Sequence, residues 1–234
     1  MQKFTVTINE IIQEAPDVKT FGLKLNSGES IGFLPGQFIM VALEKDPKNV
    51  KAYSLAWSSY IKDYVEITVK IYPDGKFSPL LDKTKVGDKI VISGPFGHFN
   101  YRKELSNELV LIFGGTGIAP FRSMINTILD NNWDTKVTLI GCYKKPEDII
   151  YNKELAANWS KKINVITTIT RPETSNVKWN GFTGRINKEM LMPYTKNKQS
   201  LYYLCGPNEL VNDLRETLTV LGVEKENIKF ERWN

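Results

Sequence analysis

The run Gly114-Gly115-Thr116-Gly117-Ile118-Ala119-Pro120 is the stretch of this sequence best suited to hold a phosphorylated ligand. It follows the fully apolar run Leu109-Val110-Leu111-Ile112-Phe113 and precedes apolar residues at helical spacing, Ile118, Phe121, Ile125 and Ile128. A diphosphate must come close to backbone N–H groups, and glycine removes the Cβ that would block it. The helix N-terminus that follows adds a partial positive charge. Pro120 suits a first helical turn, where its missing N–H is not needed. The run departs from the ordinary dinucleotide fingerprint, which wants a third glycine near Pro120 and an acidic ribose reader after the second strand. That second strand ends instead in Gly141-Cys142-Tyr143-Lys144-Lys145. Taken alone, the run can also be merely a tight turn between strand and helix.

Other chemistries are excluded by residue type. The chain has two cysteines, Cys142 and Cys205, and one histidine, His98. Neither a CxxC pair nor a histidine cluster is present, so no cysteine-ligated iron–sulfur cluster or zinc site is expected, and no metal. His98 reads as an exposed or packing residue. The 234 residues are 41% hydrophobic and 24% charged, enough for a packed core. The net charge of +5 is spread over scattered lysines. Such an excess suits a phosphate-bearing cofactor or an acidic protein partner better than nucleic acid. The N-terminus, MQKFTVTINEI, alternates rather than forming a signal-peptide core. No apolar run reaches membrane-spanning length, so membrane insertion is not expected and a cytoplasmic location is.

The elements that must position the glycine run come in two rhythms. Over the first hundred residues, alternating strands are predicted at Phe4–Ile8, Phe21–Leu25 and Val65–Val69, a continuous apolar strand at Phe38–Leu43 and a further short strand at Lys89–Ser93. Turn signals such as Pro35-Gly36, Pro73-Asp74-Gly75 and Val86-Gly87-Asp88 separate them. This pattern predicts a small antiparallel barrel. Beyond Tyr101, apolar strands at 109–113, 137–140, 163–168, 201–204 and 228–230 alternate with helical stripes at 118–128, 151–159 and 210–221. This predicts a parallel sheet with flanking helices. Two domains are expected, 1–102 and 103–234, with the change of rhythm in the polar stretch Asn100–Glu108.

Four more segments join the glycine run in a fixed order: Lys51-Ala52-Tyr53-Ser54, Gly75-Lys76-Phe77-Ser78, Gly94-Pro95-Phe96-Gly97 and Cys205-Gly206-Pro207. Together the five resemble the ferredoxin–NADP reductase superfamily, over essentially the whole chain. The resemblance implies an N-terminal FAD-binding antiparallel β-barrel and a C-terminal NAD(P)-binding α/β domain. It implies that Tyr53 packs on the flavin ring and that the Ser54 hydroxyl bonds near flavin N5. Lys51 stands where the family usually has arginine, and a lysine meets a pyrophosphate only as a point charge. Gly75, Lys76, Phe77 and Ser78 resemble a second diphosphate clamp, with Val69 and Lys70 beside the flavin. Gly94 to Gly97 resembles the turn that joins the two domains.

For the nucleotide, the resemblance implies that Gly115, Thr116, Gly117 and Ile118 face Cys205, Gly206 and Pro207 across the nicotinamide. Cys205 would place the ring and exclude water, with no need to act as a nucleophile. Arg171 and Arg185, with Lys144 and Lys145, are candidates for the adenosine half. The donor is NADH or NADPH, and the sequence does not choose. At the C-terminus, Trp233 is a candidate to cover the flavin, and Glu231 to sit near hydride transfer, so that Ser54, Cys205 and Glu231 form the catalytic set. The implied activity is an FAD-dependent oxidoreductase that takes a hydride from NAD(P)H and passes electrons to a separate acceptor. A ferredoxin, flavodoxin or oxygenase component is the first expectation, because the barrel begins almost at residue 1 and no ferredoxin or haem domain precedes it. Reduction of free flavin is the alternative, and a non-catalytic flavin-binding electron-transfer subunit a third.

Overall fold

The computed structural model describes residues 2–159 and 161–233, with the side chains of Ala157 and Asn158 not described. The chain forms two compact units. Residues 1–101 and 119–133 make one, and residues 102–118 and 134–234 make the other.

The first unit is built on a six-stranded antiparallel sheet. Its strands are β1 (Gln2–Ala15), β2 (Val18–Lys24), β3 (Phe38–Leu43), β4 (Asp46–Ser54), β5 (Tyr64–Lys70) and β6 (Lys89–Phe96), in the order β4-β3-β6-β1-β2-β5. The sheet curls, and an isolated bridge between Leu55 and Ile67 brings its two outer strands together. The alternating residues supply the interior: Val6, Ile8, Phe21, Leu23, Val65, Ile67 and Val69 are fully buried in one cluster. The short helix α1 (Ser78–Asp82) adds Leu81 to it. The predicted antiparallel architecture is thus present. Residues 94–96, expected in a connecting turn, instead finish β6.

Helix α2 (Ile118–Asp130) follows the glycine run. From Ala119 onward it clusters with the first unit, and side chains explain this. Phe121 packs at a tilt against Phe99, 6.0 Å between ring centres, and Trp133 meets Tyr101 edge-on at 6.0 Å. Thr127 Oγ1 accepts the Ser59 N–H at 2.9 Å. The outer face of β5 is consequently buried although polar: Glu66 is 3% exposed and Thr68 6%. Thr68 shares a 2.8 Å hydroxyl bond with Thr20 on β2.

The second unit carries a six-stranded parallel sheet. Its strands are β7 (Glu108–Gly114), β8 (Lys136–Tyr143), β9 (Asn164–Ile169), β10 (Phe182–Thr183), β11 (Leu201–Pro207) and β12 (Ile228–Trp233), in the order β10-β9-β8-β7-β11-β12. Helix α3 (Asn152–Glu154), helix α4 (Lys188–Leu191) and helix α5 (Asn208–Val220) complete it. Val211, Leu214 and Leu218 of α5 pack on Val110, Ile112, Tyr202 and Leu204 of the central strands. The stripe at 151–159 is not one α-helix: Tyr151 takes a left-handed φ of 57°, α3 lasts one turn, and residues 155–159 widen into a π-helical turn. Among the described residues, no helix is long and apolar enough to cross a membrane.

Candidate functional site

The flavin candidates lie on the first unit. Strand β4 pairs with β3 so that Ser54 stands opposite Phe38 and Tyr53 opposite Ile39. Both Tyr53 and Ser54 are half-buried, and Lys51 and Ala52 are exposed. Burial, with Tyr72 nearby, raises the Tyr53 phenol well above its usual range, so it stays neutral and serves as a flat packing surface. Its ring lies 6.1 Å from that of Phe77. Lys70 pairs with Asp17 at 2.8 Å. Val69 points into the barrel core with no exposure, and Phe77 is 3% exposed in the same cluster, so these side chains support the surface from below. The Ser78 Oγ accepts the Tyr72 N–H at 3.0 Å and is buried, and the Gly75 N–H donates to the Tyr72 carbonyl at 2.8 Å. Ser78 therefore locks the turn that opens α1. In the first turn of α1, Pro79 carries no N–H and the Leu80 N–H donates to the Phe77 carbonyl at 2.9 Å, so an anion here would be met by the turn and its lysine rather than by a row of helix amides. A half-buried aromatic, a neighbouring hydroxyl, an exposed lysine and a glycine turn fit a flavin nucleotide.

The nucleotide candidates lie on the second unit, and the structure brings both predicted segments together. Residues 115–117 form a single tight turn between β7 and α2. Gly115 takes φ +55°, and a Cβ there would meet nothing within 4 Å, so this side of the loop is open to a ligand. Gly117 is closed: a Cβ would strike the carbonyl oxygen of Cys205 and lie 3.1 Å from the Trp233 ring. A Cβ on Gly206 would lie 3.2 Å from the Gly114 nitrogen. Glycines thus let the end of β7 and the end of β11 approach. The pattern of one open and one closed glycine fits a dinucleotide lying on the loop. Ile118 is fully buried, so its side chain packs, and its N–H already bonds the Gly115 carbonyl within the turn.

Strand β12 adds its residues through parallel pairing with β11: Glu231 stands beside Cys205 and Trp233 beside Pro207. Cys205 is 1% exposed, and burial, then the Glu231 charge, push its thiol well up. A neutral buried thiol is a packing group, not a nucleophile. Burial also raises the carboxyl of half-buried Glu231 above the ordinary glutamate value.

Of the adenosine candidates, Arg171 is exposed at the end of β9, its N–H bonded to the Lys144 carbonyl at 2.9 Å. Arg185 is engaged by α5: its guanidinium lies 2.8 Å from Glu209 and 3.7 Å from Asp213. Sequence reasoning missed those two carboxylates. It also missed Glu66 and Arg122, a buried ion pair between β5 and α2. The available signal was a charge inside each of two apolar stripes.

These features define a two-unit protein with a curled antiparallel flavin-type sheet and a parallel nucleotide-type sheet. The family model for the oxidoreductase FAD-binding domain matches residues 5–101, and that for the oxidoreductase NAD-binding domain matches residues 111–216. NADH-cytochrome b5 reductase 1 of Laccaria bicolor is 31% identical over 88% of this chain and 69% of its own length. The glycine betaine monooxygenase reductase subunit of Chromohalobacter salexigens is 28% identical over 92% of this chain, which spans 60% of that relative's length. A solved ferredoxin reductase of carbazole 1,9a-dioxygenase superposes with a TM-score of 0.88 and 25% identity, over 100% of this chain and 70% of the other. The chain belongs to the ferredoxin–NADP reductase superfamily and is an FAD- and NAD-binding oxidoreductase of that superfamily.

Proposed function

We propose that this chain takes a hydride from NADH or NADPH onto bound FAD and passes electrons to a separate protein acceptor, an oxygenase component, ferredoxin or flavodoxin. The observation that carries the reading is the meeting of Gly117 with the Cys205 carbonyl, which makes one nucleotide surface of two segments. Bound FAD supplies the hydride acceptor and the step from paired to single electrons. In this reading residues 1–102 hold the flavin and residues 103–234 the nucleotide. Tyr53 packs against the flavin ring, Ser54 hydrogen-bonds its N5 edge, and Lys51 with the turn at Gly75–Ser78 holds the diphosphate. Gly115 and Thr116 seat the dinucleotide, and buried Cys205 keeps water from the reacting face. Glu231, neutral over a wider pH range than an exposed glutamate, lies beside Cys205 near the site of hydride transfer. Trp233 covers the flavin until nicotinamide arrives.

NADH is the favoured donor. Arg185 lies 2.8 Å from Glu209 and 3.7 Å from Asp213, carboxylates that would disfavour a 2′-phosphate beside it. The Laccaria bicolor relative is itself named for NADH. The names of the relatives, a monooxygenase reductase subunit and a cytochrome b5 reductase, support a protein acceptor. A panel assay separates the readings. The FAD-loaded chain, given NADH, is expected to reduce a [2Fe–2S] ferredoxin or a haem protein faster than free riboflavin. A rate with free flavin that exceeds every protein acceptor rejects the proposal.

A further inference from the structure

Arg122 lies one turn inside α2 and is 3% exposed. Its guanidinium makes an ion pair with Glu66 of β5, itself 3% exposed, and donates to the Ala56 carbonyl at 2.9 Å. The Trp57 ring lies 5.0 Å from the guanidinium carbon, and the Tyr64 hydroxyl donates to the other Glu66 oxygen at 2.9 Å. Stabilising α2 does not require such a device. Apolar side chains of similar volume hold a helix at least as well, whereas buried charges must offset a large desolvation penalty. Directional bonds add register: apolar packing tolerates sliding, but a guanidinium bonded to a carboxylate and a carbonyl does not. The two anchor points are informative. Ala56 is the second residue after Ser54, and α2 begins directly after Gly117.

We infer that Arg122 is a positioning residue for the reductive half-reaction, fixing the helix into which the nucleotide loop runs onto the strand end that carries Tyr53 and Ser54. It touches neither flavin nor nucleotide and acts through α2 and through Ala56. The inference rests on the proposed hydride transfer.

The test uses the full FAD-loaded chain and the variants Arg122→Met, Arg122→Lys and Glu66→Gln. FAD content, thermal midpoint, NAD+ affinity by calorimetry and the limiting rate of anaerobic flavin reduction by NADH are measured for each. Arg122→Met is expected to keep FAD, to weaken NAD+ binding and to slow the limiting rate by roughly 10- to 100-fold. Arg122→Lys, which keeps the charge but loses the fork, is expected to recover part of both. Variants that melt earlier yet keep rate and affinity within about twofold of the wild type overturn the inference. Should Arg122→Met fail to fold, Arg122→Lys and Glu66→Gln are judged by the same two readouts. A wild-type chain that neither NADH nor NADPH reduces overturns the proposed function instead, and the NAD+ affinities then decide the role of Arg122.

Discussion

Ser54 and Glu231 are the side chains on which the proposed chemistry depends most directly. Ser54→Ala is expected to keep FAD bound and to slow flavin reduction by about fivefold, the worth of one hydrogen bond of about 1 kcal/mol. Stopped-flow absorbance reads it, and an unchanged rate removes Ser54 from the role. Glu231 carries a pH signature. Burial raises its pKa in the folded state above the unfolded value, so the folded state holds that proton more tightly. Its contribution to stability is full below the ordinary glutamate value and is lost as pH rises through the raised value. Denaturant titrations of Glu231→Gln should show a flatter stability profile over that interval; identical profiles would contradict the burial effect. At this scale an ordered set of motifs picked out Tyr53 and Cys205 as candidates, and the structure sets each near the end of a strand. The sequence was opaque where function depends on what a side chain meets. Ser78 bonds a turn amide and Val69 lies in the core. Glu66 finds Arg122 across 56 residues, and no local period encodes that pairing.

At the scale of the element, the strand–loop–helix unit from β7 through α2 makes a sharp contrast between two glycines. Gly117→Ala places a methyl against the Cys205 backbone carbonyl, which cannot yield as a flexible side chain would. It should destabilise the chain by about 1–3 kcal/mol, as overpacking does. Gly115→Ala meets no atom but must hold φ +55°, a strain of about 1–2 kcal/mol. The second variant should stay folded and still weaken NAD(P)H binding, because the methyl occupies the open side of the loop. Thermal melts and nucleotide titrations check the pair, and equal nucleotide affinity in Gly115→Ala and wild type would remove the loop from binding. Most elements were readable from their patterns, since alternation gave β1, β2 and β5, and apolar runs gave β3, β7 to β9 and β11. Strand β4 was hidden by its charged and exposed residues. Strand β10 is only two residues long, too short for any period. Helix α2 read correctly as a helix, but its packing partners did not, because an apolar stripe does not say which surface covers it.

At the scale of the whole molecule, the net charge of +5 favours acidic partners. With an acidic ferredoxin as acceptor, kcat/KM should fall steeply as salt rises from about 0.05 to 0.5 M, a range over which the screening length drops below 10 Å. NADH-dependent reduction of a small neutral acceptor should change little, and equal salt dependence for both would argue against electrostatic docking. The change of rhythm near residue 100 made the two sheets legible, because alternation and continuous apolar runs bury strands in different ways. The acceptor was not legible, since docking surfaces leave no periodic trace. The central claim is the hydride path, and anaerobic titration of the FAD-loaded chain with NADH tests it most directly. The account predicts that flavin absorbance near 450 nm bleaches with one equivalent of NADH per flavin. A yellow, folded protein that neither NADH nor NADPH bleaches would contradict it.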